Sequence, residues 1–258
     1  MALKIGTCGW GVKGGHQAYF AEFGVVELQD TFYGLPKAET AAYWRGEAPP
    51  GFEFTMKAWQ AVTHPATSPT WRQGKLPAGK PENIGLLQPT EENFKAWAET
   101  GDICRILGCR ILVVQTPPKF DSTRENIQNM RAFFSRVKRP CAVAWEPRGR
   151  WDGETIGKLC EDLNLIHVVD PFRHKPARKT DVVYFRLHGI GDGDVNYRYR
   201  YTDADLQRLA GIVAGHGGAR TVYVLFNNIS MGDDAARFAR VMGLNGPAFT
   251  ADRAVPRL

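Results

Sequence analysis

The stretch Val182–Gly189, VVYFRLHG, decides the fold because it places two basic side chains inside an otherwise apolar strand. In an extended strand, alternate side chains point to opposite faces, so Tyr184, Arg186 and His188 share one face. A buried charge without a partner is strongly destabilising. The rest of the chain must therefore supply carboxylates that meet this face.

Eight apolar segments, most of them followed by a helical pattern, predict a closed barrel. Runs of Val, Ile, Leu and Phe are typical of parallel strands that helices cover on the outside. The length of 258 residues suits one barrel, which takes roughly 250 residues. The sequence favours an α/β fold, a single (β/α)8 TIM-type barrel domain over residues 1–258. The predicted strands are Lys4–Trp10, Val25–Tyr33, Phe52–Ala58, Arg110–Thr116, Cys141–Arg148, Leu165–Asp170, Val182–Gly189 and Thr221–Asn228.

A doubly wound open sheet is the alternative architecture. It would need a glycine-rich phosphate loop after the first strand, and residues 8–15, CGWGVKGG, do not match the GxGxxG spacing. Between the strands, amphipathic spacing and capping residues such as Asp152, Thr202 and Gly108 predict helices. The predicted helices are His16–Phe23, Ala38–Arg45, Glu91–Leu107, one that Asp121 or Ser122 caps and that runs to Val137, Asp152–Leu163, Tyr201–Ala214 and Asp233–Met242.

Two connections differ from ordinary loops. The segment Thr63–Thr90 is long, polar and rich in proline, which is typical of a lid, a binding loop or a disordered excursion. The run Asn196–Tyr201, NYRYRY, alternates aromatic and arginine side chains. That pattern suits base stacking and phosphate contacts, and it equally suits a solvated arginine face.

The composition narrows the possible partners and location. The net charge of +6 and the pI of about 9.1 favour anionic partners, such as phosphate esters or nucleic acid, or a basic surface kept for solubility. Five cysteines form no CxxC pair, which indicates reduced thiols and a cytoplasmic protein. The first residues run directly into a strand, so we expect no signal peptide. No apolar run approaches the roughly 20 residues that a membrane helix needs.

Polar side chains recur where the predicted strands end, which is where a barrel carries its functional groups. Glu27, Glu146 and Asp170 are the carboxylates that the seventh strand requires, and Lys57 adds a second cation. A buried ion-pair network that only fills the barrel is the alternative interpretation. The predicted catalytic residues are Lys57, Glu146, Asp170, Arg186 and His188. The predicted substrate-binding residues are Trp10, Glu27, Gln29, Tyr33, His64, Gln115, Arg148, Arg198, Arg200, Asn227 and Asn228.

Several motifs, taken in their order along the chain, resemble those of the DUF72 (YecE-like) family. They are GTCGW, VELQDTFYGLP, FEFTMKA with the TH that follows, LGCRILVVQTPPKF, AWEPRGRW, VVDP, YFRLHG and VYVLFNN. The resemblance covers nearly the whole chain and implies a TIM-type barrel, but it implies no particular reaction. The chain departs from the family pattern at Gln29, where asparagine is usual, and at Cys8, where serine is usual.

Three functions remain open from the sequence. The first is an enzyme acting on phosphate esters or nucleic acid, such as a phosphodiesterase or endonuclease. In it, Lys57 and Arg186 neutralise phosphoryl oxygens, and Glu146, Asp170 and His188 hold a divalent metal or act as acid and base. The second is a sugar-active or sugar-binding barrel, with Glu27 and Glu146 as a carboxylate pair and with Trp10, Tyr33 and Trp151 stacking a ring. The third is a nucleic-acid-binding module without turnover.

Overall fold

The computed structural model describes residues 1–244. Within it, eight strands pair in chain order and close into a parallel barrel, which confirms the predicted fold class. The core of each strand is buried, because its side chains lie either inside the barrel or beneath the surrounding helices. The strands are Ala2–Cys8 (β1), Val25–Leu28 (β2), Glu53–Lys57 (β3), Ile111–Gln115 (β4), Ala142–Glu146 (β5), Ile166–Val169 (β6), Val182–Leu187 (β7) and Thr221–Phe226 (β8).

Seven α-helices and four short 3₁₀ helices connect the strands of the described chain. The connection from β6 to β7 contains no helix within residues 1–244. The α-helices are Gly15–Glu22 (α1), Ala38–Glu47 (α2), Glu91–Leu107 (α3), Arg124–Arg136 (α4), Gly153–Asp162 (α5), Asp203–Ala214 (α6) and Met231–Val241 (α7). The 3₁₀ helices are Asp30–Phe32, Gln60–Val62, Pro69–Gln73 and Pro81–Asn83.

Helix caps confirm most of the predicted boundaries. The Thr202 hydroxyl accepts the Asp205 backbone N–H, and the Asp205 carboxylate accepts from the Thr202 backbone in return. Gly108 ends α3 with a left-handed φ of 62°, a conformation that favours glycine. The predicted cap of α4 is wrong, because the hydroxyl of Thr123 accepts the backbone N–H of Asn126 and so caps the helix.

Contacts divide the chain into two compact units. The first comprises Met1–Leu28, Gly46–Phe54 and the described residues from Val168 onward, and the second comprises Gln29–Arg45 and Thr55–His167. That residues 1–258 form a single domain therefore stays a prediction. No helix of the described residues is long and apolar enough to cross a membrane.

Several strands end earlier than their sequence pattern predicts. β2 stops at Leu28, and the chain turns into the 3₁₀ helix Asp30–Phe32, where the Thr31 hydroxyl donates to the Lys57 carbonyl at 2.7 Å. The predicted alternation of Gln29, Thr31 and Tyr33 along β2 is therefore wrong, because none of them lies in the strand. Trp10, Asn227 and Asn228 likewise follow β1 and β8 instead of ending them.

The long connection after β3 folds against α3. The Asn93 side chain accepts the N–H of Gly85 and donates to its carbonyl, both at 2.9 Å. The backbone N–H groups of Leu86 and Leu87 donate to the carbonyls of Thr63 and Val62. These bonds tie both ends of the segment together, so it is an ordered loop and not a disordered excursion.

Candidate functional site

The carboxylate that meets Arg186 in the first unit is Glu27. A guanidinium nitrogen of Arg186 lies 2.9 Å from Glu27 Oε1, and the Tyr184 hydroxyl donates to Glu27 Oε2 at 2.8 Å. The side chains of Arg186 and Glu27 are 1% and 0% exposed. Because Tyr184 and Arg186 both reach one carboxylate, the predicted strand phase is confirmed. These three residues are called the β2–β7 cluster below.

Asp170 fixes the chain where β6 and β7 end. Its two carboxylate oxygens accept the backbone N–H groups of Phe172 at 3.0 Å and of His188 at 2.9 Å. The imidazole Nδ1 of His188 lies 3.7 Å from Asp170 Oδ2, which is too long for a hydrogen bond. Asp170 therefore holds the backbone of His188, and the imidazole packs near the ring of Tyr197.

A second group of polar side chains, Lys4, Glu53 and Tyr223, lies in the first unit. Lys4 Nζ is 3.1 Å from Glu53 Oε1, and the Tyr223 hydroxyl donates to Glu53 Oε2 at 2.8 Å. The ring of Tyr223 stacks on that of Tyr184 at 5.3 Å between centroids, so this group contacts the β2–β7 cluster. Sequence reasoning missed this group. Its signal was Glu53 in the inward phase of β3, which demands a cation such as Lys4.

In the second unit, the Lys57 cation at the end of β3 lies near the neutral imidazole of His64. Lys57 Nζ lies 3.8 Å from the centroid of the Phe32 ring, and the His64 ring meets the same ring edge-on at 4.8 Å. Burial and the nearby Lys57 ammonium lower the pKa of His64 to about 3. His64 Nδ1 is 2.8 Å from the Thr63 hydroxyl, which fixes the ring. His64 is therefore uncharged at neutral pH.

Glu146 ends β5 and forms an ion pair with Arg148. A guanidinium nitrogen of Arg148 donates to Glu146 Oε1 at 2.6 Å, and both side chains are largely buried. Gln115, which ends β4, is the register partner of Glu146. The adjacent strands β3, β4 and β5 thus bring polar side chains to one end of the second unit. The residues Lys57, His64, Gln115, Glu146 and Arg148 are called the β3–β5 cluster below.

The two tryptophans proposed to stack a sugar ring pack against the protein instead. The Trp10 ring lies within 6.3 Å, centroid to centroid, of the rings of His16, Tyr19, Phe20 and Phe54. Trp151 packs edge-on against Trp145, and its indole N–H donates to the Phe120 carbonyl. Both side chains are half-buried in aromatic packing, and their stacking on a sugar ring stays a prediction.

The predicted binding residues at the end of β8 serve local structure. The Asn228 amide donates to Asp234 Oδ2 and to the Tyr199 carbonyl, both at 2.7 Å, and the Asn227 backbone N–H donates to the Leu187 carbonyl.

Arg200 forms an exposed ion pair with Asp233 at 3.0 Å. Arg198 is exposed to solvent.

The three residues predicted to hold a divalent metal do not present a suitable donor set. Across residues 1–244, no group of three or more His, Cys, Asp or Glu side chains is arranged to hold a metal ion. Both oxygens of Asp170 already accept backbone N–H groups, and Glu146 Oε1 accepts from a guanidinium. Metal ligands need lone pairs that face one point, and the described residues present no such group.

A cavity in the second unit lies between the connections that follow β2 and β3. It measures about 550 Å³, and the rings of Tyr33 and Trp59 line it together with charged Asp30 and Lys75. Tyr33 was predicted as a binding residue, whereas Trp59 was missed. The indole N–H of Trp59 is buried and has no acceptor in the described chain.

The comparison with protein families gives one match. Residues 5–251 match the model described as protein of unknown function DUF72, which is nearly the whole chain. The chain belongs to the DUF72 family. The Cys8 and Gln29 departures therefore occur within a true member.

Individual proteins agree with the DUF72 assignment. The chain is 25% identical over 273 aligned positions to the UPF0759 protein YunF of Bacillus subtilis (strain 168), covering 90% of this chain and 91% of that protein. The crystal structure of a DUF72 family protein from Enterococcus faecalis V583 is 20% identical, with a TM-score of 0.71 and coverage of 95% and 98%. A D-psicose 3-epimerase solved with D-fructose shares the fold at 9% identity, a TM-score of 0.58 and coverage of 96% and 99%.

Proposed function

We propose that this DUF72 protein is an enzyme that acts on phosphate esters of nucleic acid or of another phosphorylated anion. The supporting observation is the pair formed by Lys57 and His64. A cation beside a neutral, hydrogen-bonding imidazole suits the stabilisation of negative charge that develops on a phosphoryl oxygen. A protonated His64 would repel Lys57, and the lowered pKa of His64 avoids that repulsion.

Glu146 has the acid–base role in this proposal. Its carboxylate accepts the proton of the attacking water as the water oxygen bonds to phosphorus and the ester oxygen departs. Arg148 holds the carboxylate in place through the 2.6 Å ion pair. The net charge of +6 adds a long-range attraction for anionic substrates.

The test is an assay of pure protein on p-nitrophenyl phosphate and bis-p-nitrophenyl phosphate, with and without added Mg²⁺ or Mn²⁺. Lys57→Met removes the charge and keeps much of the aliphatic stem, and we expect kcat to fall by about 10²–10³-fold. Lys95→Met, on the exposed face of α3, is the matched control and should keep full activity. Far-UV circular dichroism establishes that both variants fold. An equal rate in the two variants, or no turnover by the parent protein on either substrate, would contradict the proposal.

The Tyr33–Trp59 cavity favours a second candidate, a carbohydrate-binding or carbohydrate-active barrel. Two aromatic rings offer stacking faces to a sugar, and the Asp30 carboxylate offers an acceptor to its hydroxyl groups. In this interpretation, Trp59 takes the stacking role that was predicted for Trp10 and Trp151.

Tryptophan fluorescence titrated with monosaccharides and oligosaccharides tests the second candidate. Trp59→Ala should abolish a sugar-dependent change in emission. Trp71→Phe should preserve it, because Trp71 lies in a neighbouring 3₁₀ helix and donates to the Pro65 carbonyl. A response to nucleotides but not to sugars would favour the phosphate-ester function.

A further inference from the structure

Cys104 and Cys109, which are near each other in sequence, converge in the second unit with the distant Cys141. Cys104 lies on α3, Cys109 precedes β4, and Cys141 precedes β5. The sulfur atoms of Cys104 and Cys141 are 3.4 Å apart across 37 residues of chain. The Cys104 thiol also shares a hydrogen bond with Cys109. Cys104, Cys109 and Cys141 are not joined by a disulfide, so the cluster is in its reduced form.

We propose that Cys104 and Cys141 are a modification site, a dithiol that hydrogen peroxide converts reversibly into a disulfide. A disulfide needs its sulfur atoms about 2.05 Å apart, so the pair has to close by a little over 1 Å. Cys141 can supply that movement because it lies in a bend between α4 and β5, outside both elements. Cys104 is buried within α3 and provides the fixed partner.

The chemistry balances with peroxide as the oxidant. The sulfur of Cys141, which is half-buried and so the more accessible of the two, attacks one peroxide oxygen. The O–O bond breaks, and Cys141 becomes a sulfenic acid with release of one water. The sulfur of Cys104 then attacks the sulfur of Cys141, the S–O bond breaks, and a second water leaves. Two thiols and one peroxide thus give one disulfide and two waters, and a dithiol reductant reverses the change.

The surroundings keep the reduced pair as the resting state. The hydrogen bond that Cys104 shares with Cys109, together with burial, raises the pKa of Cys104, and the bond to Cys104 together with burial raises the pKa of Cys141. Because the thiolate is the reactive form, the pair stays reduced until oxidant is in excess.

The position of the pair predicts an effect on stability. Cys141 lies just before β5 and the neighbouring Cys109 lies just before β4, so both are at the amino ends of the strands. In a barrel, residues at the amino ends contribute to stability, whereas residues at the carboxyl ends carry function. The disulfide would join α3 to the bend that precedes β5 and restrict the unfolded chain across a long loop. We expect the oxidised protein to unfold on the order of 5 °C higher than the reduced protein.

The test treats the pure, full-length protein with excess hydrogen peroxide and maps cross-linked peptides by mass spectrometry without reduction. We expect a Cys104–Cys141 cross-link, a loss of two of the five free thiols, and recovery of both with dithiothreitol. Cys141→Ser should abolish the cross-link. Cys109→Ser and Cys160→Ser should keep it, and Cys160 is a matched control because it is buried in α5, outside the cluster.

Three outcomes would overturn the proposal. One is a Cys104–Cys109 cross-link in place of the expected one. Another is irreversible oxidation of Cys141 without any cross-link. The third is a protein that keeps all five thiols under excess peroxide. Thermal unfolding of the oxidised parent and of Cys141→Ser after the same treatment shows whether the added stability follows the disulfide.

Discussion

The β2–β7 cluster and the β3–β5 cluster both bury charged side chains and both contain an ion pair, but the second also places a cation beside a neutral imidazole. In the first, Glu27 faces Arg186 and also accepts from Tyr184, and the ion pair is sealed from water. In the second, Lys57 stands over an aromatic ring and beside a His64 that carries no charge. A sealed ion pair serves to hold a shape, whereas a cation beside an uncharged imidazole suits the binding of a negative oxygen. The comparison teaches that burial of charge alone does not mark an active site.

Breaking the β2–β7 cluster should give the largest loss of stability. Glu27→Ala removes one partner of a fully buried pair and leaves the Arg186 guanidinium without that carboxylate. We expect the free energy of unfolding to fall by about 3–5 kcal/mol, measured by urea denaturation.

A double variant separates the pair from its surroundings. Glu27→Ala combined with Arg186→Met removes both charges, and it should recover part of the lost stability. A double variant less stable than Glu27→Ala alone would mean that Arg186 is held chiefly by other groups.

Glu146→Gln should have a smaller effect on stability and a complete effect on turnover. The Arg148 guanidinium keeps a neutral acceptor in place of a carboxylate, so we expect a loss of about 1–3 kcal/mol. Turnover on the phosphate esters should vanish, because the proposal gives this carboxylate the proton transfer. Asp121→Asn is the control, since Asp121 also pairs with an arginine, Arg150, at an exposed position. A fully active Glu146→Gln variant would remove Glu146 from the mechanism.

The sequence could predict the barrel because strand identity is a local property. Apolar runs and capping residues mark most elements, and the phase of β7 correctly placed Tyr184 and Arg186 on one face. Strand ends were less predictable. β2 keeps an alternating pattern through Tyr33, yet the Thr31 bond to the Lys57 carbonyl, between residues distant in sequence, stabilises a turn there.

Partners across the barrel could not be predicted, because the choice depends on which side chains meet in space. The sequence offered Glu27, Glu146 and Asp170 for the same basic strand, and only the coordinates show that Glu27 meets Arg186. The approach of Cys104 to Cys141 left no sequence signal, since their separation matches no motif. Trp10 was assigned to the mouth of the barrel as the last residue of the first predicted strand, whereas in the structure it follows β1 and packs on the rings of α1.

The titration of His64 should make stability depend on pH. Its pKa is about 3 in the folded protein and about 6.5 in an unfolded chain. Between these values the unfolded state binds more protons, so stability is fully present above about pH 6.5 and declines as the pH falls towards 3. The slope approaches about 1.4 kcal/mol per pH unit within that window.

His64→Gln should remove this component, seen as a flatter curve of unfolding free energy against pH. His174→Gln, at an exposed position, is the control and should keep the parent slope.

The smallest expected effect concerns the surface arginines and decides whether nucleic acid binds outside both clusters. Arg198 is exposed, while Arg200 is held in an ion pair with Asp233 in which both side chains are more than half exposed. Exposed ion pairs contribute little, about 0–1 kcal/mol, so Arg200 can exchange Asp233 for a phosphate.

Each arginine that contacts a phosphate of duplex DNA contributes roughly 0.9 to the slope of log K against log salt. Arg198→Ala with Arg200→Ala should therefore lower the slope by about 2, measured by fluorescence anisotropy with labelled duplex DNA across a salt series. Asp233→Asn should strengthen binding, because it releases Arg200 and removes a negative charge. An unchanged slope in the double variant would place nucleic-acid binding elsewhere and leave the β3–β5 cluster as the anion site to test.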